Sequence, residues 1–209
     1  MTRCTVHVID DDLSVRSAIG RLLRSHDQQV QTYPSAGEFL SQQLDSYPAC
    51  VVLDLQMPGM SGLDLQQMLA RRHDRLSIIF ISGHAAVPDS VRAMKAGAVD
   101  FLTKPFDEAQ LLSAVAVALA RSKQACIEHD SVSRDRSVFQ TLTQREREVC
   151  VRVAQGMLNK QIGGEFGTAE KTIKVQRGRV MQKLGAQSVT DVVRLVERLR
   201  HCGHLPPSI

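Results

Sequence analysis

Long apolar runs are missing from this chain of 209 residues, and aromatic residues are scarce, with no tryptophan at all. Because a membrane helix needs roughly 20 consecutive apolar residues, the sequence predicts no membrane span. The first residues, Met1–Cys4, lead directly into a strand-like pattern, without the apolar segment or cleavage site of a secretory signal. We therefore expect a cytoplasmic protein.

Cysteine is also sparse and irregularly placed. The five cysteines are an odd number, lie far apart in the sequence and lack the paired spacing of zinc ligands. This distribution favours reduced, mostly buried thiols over disulfides or a zinc site. Internal repeats and low-complexity stretches are absent as well.

Charge is distributed unevenly along the chain. Residues 1–122 carry 11 basic and 13 acidic side chains, whereas residues 140–209 carry 12 basic and 6 acidic ones. The two parts therefore have net charges of −2 and +6, and a polyanion is a plausible partner for the second part only.

The first 120 residues alternate between strand-like and helix-like patterns. The predicted strands are Thr5–Ile9, Gln29–Thr32, Cys50–Leu53, Ser77–Ile81 and Val99–Leu102. The predicted helices are Leu13–Arg24, Ala36–Gln43, Leu63–Arg72, Val87–Ala96 and Glu108–Ala120. Five such units predict an α/β domain with a five-stranded parallel, doubly wound sheet covered on both faces.

The rest of the chain has a different character. Residues 123–140 are polar and contain no Gly or Pro, and we interpret them as a linker that can be helical. Residues 141–209 predict a small all-α domain of four short helices. Two of these helices begin with capping-box patterns, at Thr143–Glu146 and Ser188–Asp191.

Charged residues follow three of the predicted strands, at the edge where open parallel sheets place their ligands. Asp10 and Asp11 follow the first strand, Asp54 the third and Lys104 the fifth. Mg²⁺ prefers carboxylate and carbonyl oxygens, an aspartate can attack a phosphoryl group, and a lysine can balance phosphate charge. The pattern predicts a Mg²⁺ site formed by Asp10, Asp11, Asp54 and the backbone carbonyl of Gln56, with Asp54 able to form an acyl phosphate.

Neighbouring residues have simpler interpretations. Ser82 ends the fourth strand, where its hydroxyl could donate a hydrogen bond to a bound phosphate. Asp12 is best interpreted as a helix cap. Gln56 and His84 either control water access to the phosphoryl group or are ordinary loop residues, and the sequence favours the second interpretation.

Residues 4–122 resemble a response-regulator receiver domain, which has a flavodoxin-like (CheY-like) fold. The resemblance lies in the segments 8–11, 53–62, 94–98 and 101–106. It implies that Asp54 accepts phosphate from a sensor histidine kinase. It also implies that Ser82 and Phe101 form a switch pair and that the Lys104–Pro105 bond is cis.

The helix predicted from Ala169 to Leu184, with Thr168 as its N-cap, is rich in positive charge. It has one apolar stripe, formed by Ile173, Val180 and Leu184. As the second helix of a tight pair it fits the DNA major groove, although a charged helix face can also be merely solvated.

Residues 141–200 resemble a LuxR-type helix-turn-helix through the segments 142–149, 159–162, 170–175 and 181–185. Together the two parts resemble the NarL/FixJ family, nearer its FixJ branch. The resemblance implies that DNA is contacted by Lys171, Thr172, Lys174, Val175, Arg177, Gly178 and Arg179. Two departures from the family pattern are Gly163-Gly164, which we expect to cost roughly 2 kcal/mol relative to alanines, and Gln176, where histidine is frequent.

The resemblance implies a transcription regulator. Phosphorylation of Asp54 would promote homodimerisation through the face made by the fourth helix, fifth strand and fifth helix. The paired basic domains would then bind half-sites in promoter DNA about one turn apart, with RNA polymerase as a further partner.

Two other functions remain open from the sequence. A Mg²⁺-dependent aspartyl-phosphate hydrolase would use Asp10 and Asp12, but it would leave the basic domain unexplained. A receiver that acts mainly through protein contacts, and binds DNA only weakly, would differ in the salt dependence of its DNA binding.

Overall fold

The structure, a computed structural model, describes residues 4–42, 48–72, 75–83 and 87–205. It separates into two compact units, Met1–Ile127 and Glu128–Ile209. Within the described ranges, no helix has both the length and the apolar character needed to cross a membrane.

The first unit is built on one sheet of five parallel strands in the order β2-β1-β3-β4-β5. The strands are β1 (Thr5–Ile9), β2 (Gln29–Tyr33), β3 (Ala49–Asp54), β4 (Ser77–Ser82) and β5 (Asp100–Thr103). The predicted fold class is thus confirmed, because this strand order is that of flavodoxin-like sheets.

Five helices cover the sheet: α1 (Leu13–Ser25), α2 (Ala36–Leu40), α3 (Gly62–Arg72), α4 (Val87–Lys95) and α5 (Glu108–Gln140). One core cluster joins the sheet to α1 and α5, and a second joins its other face to α2, α3 and α4. Helix α2 ends at Leu40, earlier than predicted, and the predicted end at Gln43 lies outside the described residues.

Helix α5 does not end at Ala120, as the sequence pattern predicted, but continues without a break to Gln140. Residues 121–140 contain no Gly or Pro that would stop a helix. Both parts of α5 also pack in apolar cores. Leu111 and Ala118 lie in a core of the first unit, and Phe139 lies in the core of the second.

In the described part of the second unit, up to residue 205, four further helices follow: α6 (Gln144–Ala154), α7 (Asn159–Glu165), α8 (Glu170–Leu184) and α9 (Val189–His201). Both predicted capping boxes are present, with Thr143 and Glu146 starting α6 and Ser188 and Asp191 starting α9. These reciprocal hydrogen bonds satisfy backbone amides that a helix leaves free at its start.

The start of α8 corrects one prediction. The N-cap is Ala169, without a side-chain cap, and not Thr168. Thr168 belongs to the turn before the helix, where its amide donates a hydrogen bond to the carbonyl of Gly163 at 2.9 Å.

The same turn explains one of the paired glycines. A β-carbon at Gly163 would lie 2.8 Å from the carbonyl oxygen of Thr168, so any larger residue would push the two backbones apart. Gly164 faces open space. The expected cost of two helix-interior glycines therefore applies to Gly164 alone, because Gly163 is needed for the close turn.

Candidate functional site

The carboxyl edge of the sheet holds a compact group of opposite charges. The Nζ of Lys104 lies 2.7 Å from Oδ2 of Asp10 and 3.0 Å from Oδ2 of Asp54. Asp10 is fully buried, and Asp54 is 8% exposed. The ends of β1, β3 and β5 thus bring these three side chains together from distant parts of the sequence.

Asp11 completes an acidic cluster with these residues. Each of Asp10, Asp11 and Asp54 offers a carboxylate oxygen, and these oxygens lie within 4.8 Å of one another. Asp11 is exposed, so the cluster is open to solvent on its side. Three hard oxygen donors at this spacing fit a divalent cation such as Mg²⁺.

Burial and pairing set the charge states of the pocket. Burial raises the pKa of Asp10 above its usual value, although hydrogen bonding to Lys104 works in the opposite direction. For Lys104, burial would lower the pKa, but hydrogen bonds to Asp10 and Asp54 outweigh burial and raise it. Lys104 therefore stays charged. For Asp10, the contacts with Lys104 only partly offset the cost of burying the ionised carboxylate.

The backbone around Asp54 is held in place by two neighbours. The amide of Gln56 donates a hydrogen bond to Oδ1 of Asp54 at 3.3 Å. A β-carbon at Gly62 would lie 2.5 Å from the carbonyl oxygen of Asp54 and 2.9 Å from the ring of Phe80. Glycine at position 62 is therefore what lets α3 begin directly against the acidic loop.

Asp12 has the structural role that the sequence favoured. Its side chain accepts hydrogen bonds from the amides of Ser14 and Val15 as the N-cap of α1. Its own amide donates to Oδ1 of Asp10 at 2.9 Å. Because the Asp12 carboxylate is engaged as a helix cap, it does not suit the role of second acid in the hydrolase considered as an alternative.

Arg16 of α1 was not identified from the sequence, but its side chain contacts the same loop. Its Nη1 donates hydrogen bonds to the backbone carbonyls of Asp10 and Asp11, at 2.5 and 3.3 Å. It lies one helical turn beyond the cap of α1, and no sequence motif singles it out.

The remaining predicted pocket residues are also near this edge. Ser82 ends β4 and is 1% exposed, and its carbonyl accepts a hydrogen bond from the amide of Lys104 at 2.7 Å. The half-buried ring of Phe101 stacks on Phe80 with centroids 6.0 Å apart. The Lys104–Pro105 bond is cis, as the resemblance implied. His84 lies outside the described residues.

Helix α8 presents a basic surface in the second unit. Its apolar stripe is turned inward, with Ile173 and Val180 buried and Leu184 packed at the edge of the core. The predicted DNA-contacting residues lie on the exposed part of the helix, apart from half-buried Arg177: Lys171, Thr172, Lys174, Val175, Gly178 and Arg179. Gly178 has no atom near enough to meet an added β-carbon, so the surface there is flat.

Two side-chain contacts from α8 were not foreseen. The guanidinium of Arg177 donates a hydrogen bond to Oδ1 of Asn159 on α7 at 3.1 Å. Lys183 Nζ lies 2.6 Å from Oε2 of Glu146 on α6. The first contact orients a predicted DNA-contacting residue. The second pairs the positive charge of Lys183 with a carboxylate of the protein itself.

Comparison with known proteins covers both units. A family model for the response regulator receiver domain matches residues 6–116, and one for the bacterial regulatory proteins of the luxR family matches residues 140–196. Nodulation protein W of Bradyrhizobium diazoefficiens is 44% identical over 198 residues, which cover 95% of this chain and 87% of that protein. Transcriptional regulatory protein FixJ of Azorhizobium caulinodans is 40% identical over 190 residues, covering 91% and 90%. The solved structure of response regulator StyR has 43% identity and a TM-score of 0.81, covering 94% of this chain and 99% of that one.

A receiver domain followed by a LuxR-type DNA-binding domain defines a two-component response regulator that acts on transcription. The relatives narrow this class further. The chain belongs to the NarL/FixJ family of response regulators.

Proposed function

We propose that Asp54 is the residue that accepts a phosphoryl group from a sensor histidine kinase. A carboxylate oxygen of Asp54 attacks phosphorus, the bond from phosphorus to the kinase histidine breaks, and the electron pair of that bond stays on the imidazole. The observation that carries the proposal is the half-buried lysine placed 3.0 Å from Asp54 beside two further carboxylates. This arrangement suits a transferred group that brings negative charge and a metal ion that offsets it.

The acidic cluster is the proposed Mg²⁺ site. Asp10, Asp11, Asp54 and the backbone carbonyl of Gln56 would hold the ion, and the spacing of the three carboxylates supports this fit. When bound, Mg²⁺ supplies positive charge that offsets the crowded oxygens of the carboxylates and the phosphoryl group. Lys104 holds the opposite side of the pocket and can pair with a phosphoryl oxygen.

Ser82 and Phe101 are the proposed switch pair. Ser82 ends β4 beside β5, where its hydroxyl can donate a hydrogen bond to a phosphoryl oxygen on Asp54. The ring of Phe101 is only half buried, so an inward turn when Ser82 moves would bury more of its surface. The cis Lys104–Pro105 bond follows directly after β5 and belongs to the same edge.

The proposed consequence is dimerisation through the face formed by α4, β5 and α5. Helix α4 supports this choice, because Val87, Val91 and Met94 are 74%, 43% and 45% exposed and recur at helical spacing. An exposed apolar stripe on one helix is typical of an association surface. Two copies joined by one symmetric face would carry two basic helices.

The second unit is the proposed DNA-binding domain, with α8 in the major groove of promoter DNA. Residues 1–122 and 141–209 are the proposed domain limits, with the helical segment 123–140 between them. The exposed basic surface of α8 supports phosphate and base contacts by its residues. The proposed site of action is the cytoplasm, where bacterial DNA lies, with RNA polymerase as a further partner.

Gel shifts with promoter fragments test this function. A phosphate mimic such as beryllofluoride should increase the DNA affinity of the wild type and leave Asp54→Asn unchanged. An equal response in the two proteins would rule out Asp54 as the switch.

Salt dependence separates this proposal from a receiver that acts mainly through protein contacts. The logarithm of the DNA-binding constant should fall with the logarithm of salt by about 0.9 per phosphate contact. A slope near zero would favour the alternative.

A further inference from the structure

The second unit carries a groove formed by elements other than α8, among the residues that the structure describes. It has a volume of about 800 Å³ and is walled by the end of α5, by α6, by the C-cap of α7 and by the end of α9 with the residues after it. Among the described residues, α8 contributes none of its walls. A molecule in this groove would therefore not compete with DNA for the outer face of α8.

The lining of the groove combines apolar residues with polar and charged ones. Five apolar residues line it: Phe139, Val151, Phe166, Leu199 and Leu205. Phe139 and Leu199 also belong to the core of the unit, so the floor is a rigid surface and not a set of mobile side chains. Such a surface favours a partner that brings apolar side chains of its own.

The groove also carries positive charge that nearby acids do not neutralise. Arg152 is paired with Glu165 at 2.6 Å, and Glu148 is paired with Arg145 at 2.8 Å. Arg136 and Arg147 also line the groove. Within the described part of the chain, no carboxylate lies within 4.0 Å of either.

Arg147 is held in position by neutral partners. Its Nε and Nη2 donate hydrogen bonds to the carbonyls of Leu142 and Gln140, at 3.0 and 2.9 Å. Carbonyl oxygens orient the guanidinium without cancelling its charge. An arginine fixed in this way loses little side-chain entropy when it binds a carboxylate.

We propose that this groove docks an acidic amphipathic segment of a partner protein. Apolar side chains of the segment would lie against Val151 and Phe139, and its carboxylates would pair with Arg136 and Arg147. The volume is within the range of small-molecule sites, but those sites usually enclose most of their ligand. This groove is neither an enclosed cavity nor a flat surface, which favours a peptide segment.

The proposal goes beyond DNA binding and phosphorylation and does not depend on either. It involves neither Asp54 nor α8, so it can fail or succeed independently of the proposed function. The charge complementarity of the groove is what selects an acidic partner over a neutral or basic one.

The probe for the test is a fluorescein-labelled amphipathic helical peptide of about four turns, with leucines on one face and glutamates beside them. Its binding to the full chain is followed by fluorescence anisotropy, with excess duplex DNA present to occupy α8. We expect saturable binding that DNA does not displace. Peptides with lysines in place of the glutamates, or serines in place of the leucines, should bind at least roughly ten-fold more weakly.

Two variants locate the binding. Val151→Glu places a carboxylate on the floor and should weaken binding roughly ten-fold or more, whereas Arg136→Gln removes an exposed charge and should weaken it about three-fold. Arg194→Gln on α9 removes the same charge outside the groove and should leave binding unchanged. Arg136→Gln keeps the test valid if Val151→Glu does not fold.

Four outcomes would overturn the proposal. The first is displacement of the probe by duplex DNA, and the second is equal binding of the serine peptide. The third is unchanged affinity in both groove variants. The fourth is self-association of the wild type, seen by sedimentation and lost in Val151→Glu, because the groove would then dock a second copy of the chain.

Discussion

The ammonium group of Lys104 lies 3.0 Å from Oδ2 of Asp54, a residue 50 positions earlier in the chain. The same ammonium group also pairs with buried Asp10, so one cation serves two carboxylates, with exposed Asp11 close by. The pocket therefore has more negative than positive charge before any ligand binds. A divalent cation would restore the balance.

Replacing Asp10 with asparagine should stabilise the metal-free protein. Because burial raises the pKa of Asp10 above 3.8, its contribution to the free energy of unfolding is fully present below that pH. This contribution is lost as pH rises through the raised pKa, so ionised Asp10 costs stability at neutral pH. We expect Asp10→Asn to have a higher Tm than the wild type in a chelator.

Mg²⁺ should stabilise the wild type more than it stabilises Asp10→Asn. The ion should raise the Tm of the wild type more than that of Asp10→Asn, because the variant lacks one of the carboxylates. Asp27→Asn makes the same charge change at an exposed position and should behave like the wild type. A metal-free Asp10→Asn protein that melts below the wild type would contradict the charge argument.

Alanine substitutions at the two adjacent glycines of α7 should change the free energy of unfolding in opposite directions. Gly164→Ala should raise the free energy of unfolding of the second unit by about 1 kcal/mol, since the site is open and helical. Gly163→Ala should lower it, because the new β-carbon would meet the Thr168 carbonyl at 2.8 Å. Urea unfolding of the two variants measures both values, and changes of the same sign would refute the turn geometry.

The contact between Glu146 and Lys183 should make the second unit sensitive to acid. Hydrogen bonds from Lys183 and the Thr143 amide lower the pKa of Glu146 from 4.5 to about 2. A lowered folded-state pKa contributes stability above pH 4.5, and that stability is lost as pH falls towards 2.

Two variants isolate this effect from other acidic groups. The free energy of unfolding of Glu146→Gln should depend less on pH between 4.5 and 2 than that of the wild type, as measured by denaturant unfolding. Lys183→Gln should reduce the dependence in the same window, because it removes the larger cause of the pKa shift. Parallel pH profiles for all three proteins would show that the pair has no such role.

Asn159 should support DNA binding through Arg177. Asn159→Ala should weaken DNA affinity several-fold, because the guanidinium loses the contact that orients it. In an Arg177→Ala background the same change should have almost no further effect, which a double-mutant cycle of binding constants measures. Additive losses in the double variant would mean that Asn159 acts independently of Arg177.

The sequence predicted the sheet and the acidic pocket because both depend on local patterns. The central strands β3 and β4 are buried on both faces, and Asp54 lies at the end of β3. Once five parallel strands are placed, Asp10, Asp54 and Lys104 must meet at one edge, as they do. Asp12 was likewise predictable, since a cap uses only the neighbouring amides.

Features that depend on distant partners were not predictable. The sequence allowed a helical linker over 123–140, but its weak periodicity did not reveal that this segment continues α5 or that Phe139 packs in the second core. From the sequence alone, Gly163 is an unfavourable residue inside a helix. Its reason is the Thr168 carbonyl, which lies too close for a β-carbon at this position. The support of Arg177 by Asn159 crosses between two helices, so no spacing rule within either helix indicates it.

The most direct test of the account is the covalent state of Asp54. Purified protein would be incubated with acetyl phosphate and Mg²⁺, and its intact mass and peptides would be measured beside those of Asp54→Asn. We expect a mass increase of one phosphoryl group, located on Asp54 and absent from the variant. An unmodified wild type, or a phosphoryl group on another residue, would contradict it.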